Sequence, residues 1–269
     1  MPSPTLDPPI PLMNIAASTS LASAPALEDC RVLELRDYLL QTAQREVLIE
    51  LFDRAFVESQ EATGMRVIGQ FRDLDRPEHF VWLRGFADMA ARRQGLESFY
   101  GGPVWAEHRA AANATMIDSS DVRLLRYARQ SWSLVTPAAP RPRAGVDLAA
   151  STAVFQLVLC SLRAPLDEPF RRWFEREALP ALVDAGAAPC AVFETEPAAN
   201  DFARLPVRSG EHVFVWMSRH ANPQAAAQAG ERLAASPRWA DAALPRLQAA
   251  LAEPMRVLRL QPTSRSLLR

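Results

Sequence analysis

The stretch RVLELRDY, Arg31 to Tyr38, returns 122 residues later as AVFQLVLC, Ala153 to Cys160. The same offset carries Gly64 onto Gly186 and Phe71 onto Phe193. EHFVWLRGF then answers to EHVFVWMSRH, with Trp82 on Trp216 and Trp105 on Trp239 at an offset of 134. The 12 extra residues fall around NDFARLPVRSGE. Near the end of each half, VRLLRY (Val122 to Tyr127) matches MRVLRL (Met255 to Leu260). Ordered blocks with one insertion point to an internal duplication, and a duplicated chain must fold as two like units.

Each half reads as a strand, a helix, two strands, a helix and a closing strand. In the first half, Val47, Leu48, Leu51, Phe52, Ala55 and Phe56 give helical spacing within a helix over about 43–59. MRVIGQF and HFVWLRGF are the paired strands that follow. This β-α-β-β-α-β order predicts an α+β fold of two ferredoxin-like units with antiparallel sheets. Each sheet carries helices on one face, and its bare face needs a cover. Two units within one chain supply that cover face to face, as a dimeric α/β-barrel. The boundaries follow from composition. Residues 1–28 read as an unstructured tail and 29–138 as the first unit. Residues 139–149 are a proline-rich linker, 150–262 the second unit, and 263–269 a C-terminal tail.

Composition excludes several chemistries. All 30 basic side chains counted as Lys+Arg are arginine. Without lysine there is no Schiff-base anchor for pyridoxal phosphate and no complete Walker A loop. Cys30, Cys160 and Cys190 form no C-x-x-C pair. That sparse set suits a reducing, cytoplasmic setting. His79, His108, His212 and His220 lack metal-site spacing, so neither metal nor cofactor is expected. A net charge of -1 gives no bulk pull toward nucleic acid, and no window is apolar enough to span a membrane. NIAASTSLASAPA looks like a signal peptide at first glance but lacks a basic start and an apolar middle.

The stretch VLELRDY, the segment GMRVIGQFRDLDRPEHFVWLRGFADMAARR and the later PVWAEHR together resemble the NIPSNAP family of the dimeric α/β-barrel superfamily. In that family the Trp-bearing strand precedes a helix opening near s-x-x-x-R, the place filled here by FADMAARR. The resemblance covers Cys30 to Tyr127 well and Ala153 to Pro262 loosely. It implies the barrel fold more than a reaction. The wider superfamily includes cofactor-free monooxygenases, haem-handling enzymes and isomerases or dehydratases of small organic molecules.

Strand alternation puts Glu34, Arg36 and Tyr38 on one face and Leu33 and Leu35 on the other. The expectation is that the charged row points into the barrel and the leucines pack under helices. The same rule sends Arg66, Ile68, Gln70 and Arg72 inward from the second strand, and Phe80, Trp82 and Arg84 from the third. From the second half it sends Gln156, Val158, Cys160, Ala188, Cys190, Val192, Glu194, Phe214, Trp216 and Ser218. The candidate site is therefore a barrel interior with a charged and an apolar wall. Glu34 serves as base and Tyr38 as donor, while Arg36, Arg66, Arg72, Trp82, Arg84, Cys160 and Trp216 bind a small aromatic or unsaturated acid. Whether the chain is an enzyme stays open at this level. The rivals are an interaction scaffold with a filled core, alone or as a homo-oligomer, and a haem-handling or monooxygenase-like protein.

Overall fold

The structure, a computed structural model, describes residues 24–146 and 151–269. Of the expected tail, residues 1–23 lie outside the described residues, as do 147–150 of the linker region.

Alternating apolar residues build the strands. The first half contains β1 (Val32–Leu40), β2 (Arg66–Asp73), β3 (His79–Phe86) and β4 (Met116–Tyr127). The second contains β5 (Val154–Leu162), β6 (Pro189–Thr195), β7 (His212–His220) and β8 (Arg256–Pro262). All pairs are antiparallel, and the strands close into one barrel in the order β1-β3-β2-β8-β5-β7-β6-β4. Within it the halves keep the orders β4-β1-β3-β2 and β8-β5-β7-β6. Two short seams join them. Phe71, Arg72 and Asp73 pair with Pro262, Gln261 and Leu260 at one seam. Leu125, Arg126 and Tyr127 pair with Thr195, Glu194 and Phe193 at the other.

The helices lie outside the barrel. α1 (Arg45–Leu51) runs through a π-helical turn, Phe52–Phe56, into α2 (Val57–Glu61). α3 (Met89–Tyr100) starts on Asp88, whose side chain accepts from the Ala91 amide, and α4 (Pro103–Ala114) starts on a proline. In the second half α5 (Glu168–Trp173) passes through the π turn Phe174–Ala178 into α6 (Leu179–Asp184). α7 (Pro223–Ala234) is capped by Asn222, and a further π turn, Arg238–Ala243, leads into α8 (Leu244–Ala250). Gly64 and Gly186 both turn the chain from helix to strand at φ 85° and 79°, a backbone state that a side chain would strain.

The barrel interior is apolar and filled. Leu33, Leu35, Ile68, Phe71, Val81 and Leu83 from the first half meet Phe155, Leu157, Leu159, Phe193, Val215 and Met217 from the second. Phe71 and Phe155 touch at 5.4 Å between ring centres. Truncating such a phenylalanine to alanine costs about 3–5 kcal/mol. Residues 263–269, expected as a tail, pack against this core. Leu267 and Leu268 join it, and Thr263 and Ser266 are buried. At the other terminus Leu27, inside the expected tail, is fully buried in the same cluster.

The expected strand facing is therefore inverted. Leu33 and Leu35 point into the barrel, while Tyr38 and Trp82 lie in the core cluster formed with the first-half helices. Cys160, Val158, Val192, Phe214 and Trp216 lie in the matching cluster of the second half. The reason is geometric. Alternation assigns residues to two faces but does not name the face that looks inward, and here both faces are buried. An eight-stranded barrel has an interior just wide enough for side chains to fill. β2 departs further, because a bulge between Val67 and Gly69 sends both Ile68 and Phe71 inward. In β6, Ala191 and Phe193 share the interior face by plain alternation.

Candidate functional site

The outward row of β1 meets β3 in register. Glu34 stands opposite Arg84, Arg36 opposite Trp82, and Tyr38 opposite Phe80. α3 lies across this row and adds Arg92. Glu34 Oε2 accepts from Arg36 Nη1 and from Arg84 Nε, each at 2.7 Å. Its Oε1 accepts from Arg92 Nε at 2.7 Å. Arg36 Nε donates to the Tyr38 hydroxyl oxygen at 2.8 Å. Arg84 Nη1 donates to Gln60 Oε1 at 2.9 Å, which ties the cluster to α2. Glu34, Arg84 and Arg92 are completely buried, and Arg36 almost so.

Burial alone would push the Glu34 carboxyl up, but the guanidiniums of Arg84, Arg36 and Arg92 override it and hold it well below the usual carboxylate range. Both of its oxygens are engaged. A carboxylate so held is a poor proton acceptor, so the geometry does not suit Glu34 as a general base. Glu34 instead orients three guanidiniums. Burial raises the Tyr38 phenol above its ordinary value, against the pull of Arg36, so Tyr38 keeps its proton. Its oxygen accepts from Arg36, which leaves its O–H to donate elsewhere.

The layer is rich in donors. Trp82 Nε1 and Arg92 Nη2 are buried without a hydrogen-bond partner. The guanidinium carbons of Arg36 and Arg84 lie 5.5 and 5.0 Å from the Trp82 ring centre. Phe52, on the π turn, packs edge-on against Trp82 at 4.9 Å and against Phe80 at 5.6 Å. The result is an aromatic wall beside a cationic one.

A segment of the second half closes the layer. The insertion between β6 and β7 crosses onto α3, where Asp201 Oδ1 accepts from Arg92 Nη1 at 2.5 Å. Phe202 is buried, with its ring 6.0 Å from that of Tyr100. Three guanidiniums thus face two carboxylates, and one positive charge is left over. Beside the insertion runs a groove of about 340 Å³, lined by Leu124, Glu196, Asn200, Val207 and Glu211 among others.

The remaining residues expected at the site lie apart. Arg66 donates to the backbone oxygens of Pro25 and Ala24 at the first described residues. Arg72 pairs with Glu46 on α1. Cys160 and Trp216 belong to the helix layer of the second half and do not join Arg36. There Gln156 stands opposite Ser218 and Val158 opposite Trp216, so the positions of Glu34 and Arg84 carry no charge. Burial raises the Cys160 thiol to about 12, which makes it a poor nucleophile. His79 sits at the barrel end with Nδ1 2.7 Å from Asp37. Among the described residues no group of three or more His, Cys, Asp or Glu side chains is arranged to hold a metal ion. No described helix is long and apolar enough to cross a membrane.

Arg92, Gln60, Tyr100, Asp201 and Phe202 were not singled out by sequence. Arg92 had a signal, since it is the arginine one turn into the helix that opens on Asp88 in FADMAARR. The insertion was visible as extra length, but nothing in its residues told where it would dock.

No curated protein matches the chain. Among solved structures, an anthrone oxidase-like protein aligns at 15% identity, covering 89% of this chain and 94% of its own, with a TM-score of 0.48. Chlorite dismutase from Candidatus Nitrospira defluvii aligns at 10% identity over 88% of this chain and 93% of its own, with a TM-score of 0.44. A NIPSNAP family protein from Agrobacterium tumefaciens aligns at 18% identity, covering 46% of this chain and 97% of its own, with a TM-score of 0.32. The NIPSNAP family profile itself matches residues 33–132, which hold Glu34, Arg36, Arg84 and Arg92. The match to the NIPSNAP family is thus confined to the first unit.

Proposed function

We propose that the chain binds a small aromatic or unsaturated acid, not in the barrel but in the helix–sheet layer of its first unit. The observation that carries this is the buried cluster of Arg36, Arg84 and Arg92 around one internal carboxylate, with spare donors on Arg92 and Trp82. A forked guanidinium matches a carboxylate or enolate oxygen pair. The aromatic wall of Phe52, Phe80 and Trp82 suits a flat apolar body. Tyr38 is the proton donor to an anionic form of the ligand, and Glu34 keeps the guanidiniums aligned.

The chemistry open to such a site is stabilisation of an anion formed next to a carbonyl, which serves isomerisation or hydration. A second reading, a cofactor-independent oxygenase acting on the same anionic aromatic ligand, is favoured by the aromatic wall lying against the arginines. Oxygen uptake during turnover separates the two. Haem does not fit the layer. Among the described residues no histidine bonds into the arginine cluster, and His108 packs against Phe56 at the edge of the layer. The three unpaired cysteines suit a cytoplasmic location.

We also infer that the halves are copies of one ferredoxin-like unit. The π turns at Phe52–Phe56 and Phe174–Ala178 share the offset of 122, as do Gly64 and Gly186. The helix caps Asp88 and Asn222 share the offset of 134. One copy kept the charged row, and the other lost it.

The test is a titration of ¹⁵N-labelled protein with phenylpyruvate. Shifts should concentrate on the Trp82 indole N–H and the Nε–H groups of Arg84 and Arg92. Shifts confined to the barrel core or the second unit would refute the site.

A further inference from the structure

The insertion of the second unit does more than lengthen a loop. Its two arms are pinned to β4 of the first unit, where the Glu196 amide donates to Leu124 O and the Arg208 amide to Val122 O. Between the arms, the tip closes on itself. Asn200 donates to Leu205 O, the Phe202 amide donates to Asn200 Oδ1, and the Leu205 amide donates to Phe202 O. A tip satisfied by its own hydrogen bonds can leave its seat as a unit without orphaning backbone groups.

What the tip puts into the layer has the chemistry of a ligand. Asp201 offers a carboxylate to Arg92, and the next residue offers a phenyl ring to Tyr100. The fit is incomplete. Asp201 engages Nη1 of Arg92, while Nη2 remains buried and unpartnered. A free carboxylate is not tethered to a backbone and can take both nitrogens in a fork. Asp201 is also a quarter exposed, whereas Arg92 is fully buried, so the acid approaches the pair from the loop side. The groove of about 340 Å³ runs along both arms and shares Leu124 with the core of the layer, which gives an approach path.

We propose that Asp201 and Phe202 form an internal stand-in for the ligand, and that the site takes an aryl-substituted carboxylic acid that binds by displacing this tip. The acid's carboxylate replaces that of Asp201 and bridges both outer nitrogens of Arg92. Its ring replaces Phe202 against Tyr100. The tethered pair competes at a high effective concentration, so the resting protein holds its own site shut. This rests on the anion-binding reading of the layer and adds the ligand's class and the means of its entry.

Hydrogen exchange and calorimetry on the full chain, with phenylacetate as probe, test it. Phenylacetate should slow exchange over 89–100 and speed it over 196–211. Asp201→Asn should bind phenylacetate about tenfold more tightly than the unmodified protein, because its amide no longer competes as an anion. Acetate should bind more weakly than phenylacetate to both. Protection of 89–100 with an unchanged loop and no gain in Asp201→Asn would keep the anion site and overturn displacement. Acetate binding as well as phenylacetate would overturn the aryl half of the assignment. A loop loosened by Asp201→Asn, with no protection of 89–100 by acid in either protein, would overturn both the anion site and the displacement.

Discussion

Glu34 and Arg84 face each other across neighbouring strands, and the guanidinium Nε of one meets the carboxylate Oε2 of the other at 2.7 Å with both side chains fully buried. A single sheet register thus sets both the backbone ladder and the centre of a charge network. Arg36 and Arg92 complete it from the same strand and from α3.

Glu34→Gln removes the anion that three buried guanidiniums share. Breaking a buried ionic group by deleting one partner costs about 3–5 kcal/mol, since the remaining charges stay desolvated. Urea unfolding should show a fall in unfolding free energy of that size. A change below about 1 kcal/mol would mean that water reaches the layer and screens the arginines.

Arg36→Met should weaken binding of an aromatic acid by about ten- to a hundredfold, the worth of one charge-assisted hydrogen bond. Cys160→Ala should leave affinity unchanged, since Cys160 lies in the other helix layer. Calorimetry on both variants gives the ordering. Equal losses would move the ligand away from the first unit.

Asp53 sits on the π turn, where its Oδ1 accepts from Gln70 Nε2. Burial raises its carboxyl to about 6, against the lowering pull of Arg265 and Arg141. The folded chain therefore holds the proton more tightly than the unfolded chain, whose value is near 3.9. Stability linked to that proton is complete below the unfolded value and is lost as pH rises through about 6. Asp53→Asn keeps the group neutral. Its Tm should match the unmodified protein near pH 4 and exceed it at pH 7. The opposite trend would show that the carboxylate is stabilised by its arginines.

A chain starting at Glu28 loses Leu27, which is buried at 0% exposure in the barrel cluster. It also loses the Pro25 and Ala24 carbonyls that Arg66 holds. Burying a leucine is worth about 1.5–3 kcal/mol, so this truncation should lower the Tm measurably. A chain starting at Ala24 keeps these contacts. Equal melting of the two would show that Leu27 is replaceable.

Much of the fold could be read from particular residues. Gly64 and Gly186, which turn helix into strand, and the strands carrying Trp82 and Trp216 mark the order of elements in the sequence itself. The inward face could not be read. Leu33 and Glu34 alternate cleanly, yet both are fully buried, and a sequence marks the polar face without saying whether helices or a second sheet cover it. Arginine alone did not mark the site either. Arg66 and Arg72 resemble Arg36 and Arg84 in sequence, but they bind the N-terminal segment and α1. Which arginines share one carboxylate depends on register and on α3 crossing the strands, and both are tertiary facts.

The two seams of the barrel carry three residue pairs each, and one of them joins Phe71 to Pro262. The first unit therefore completes its own four strands long before the strand that covers the edge of β2 exists. Until then it presents an open apolar sheet and an unpaired edge, the features that recruit chaperones or a neighbouring copy. Closure also has to bridge a separation of 191 residues, which places it late in folding and makes it slow. If two chains meet in that interval, the first unit of one can close against the second unit of the other. The exchanged dimer would keep every barrel contact, so the balance between single and paired chains is set by synthesis and concentration rather than by any new interface.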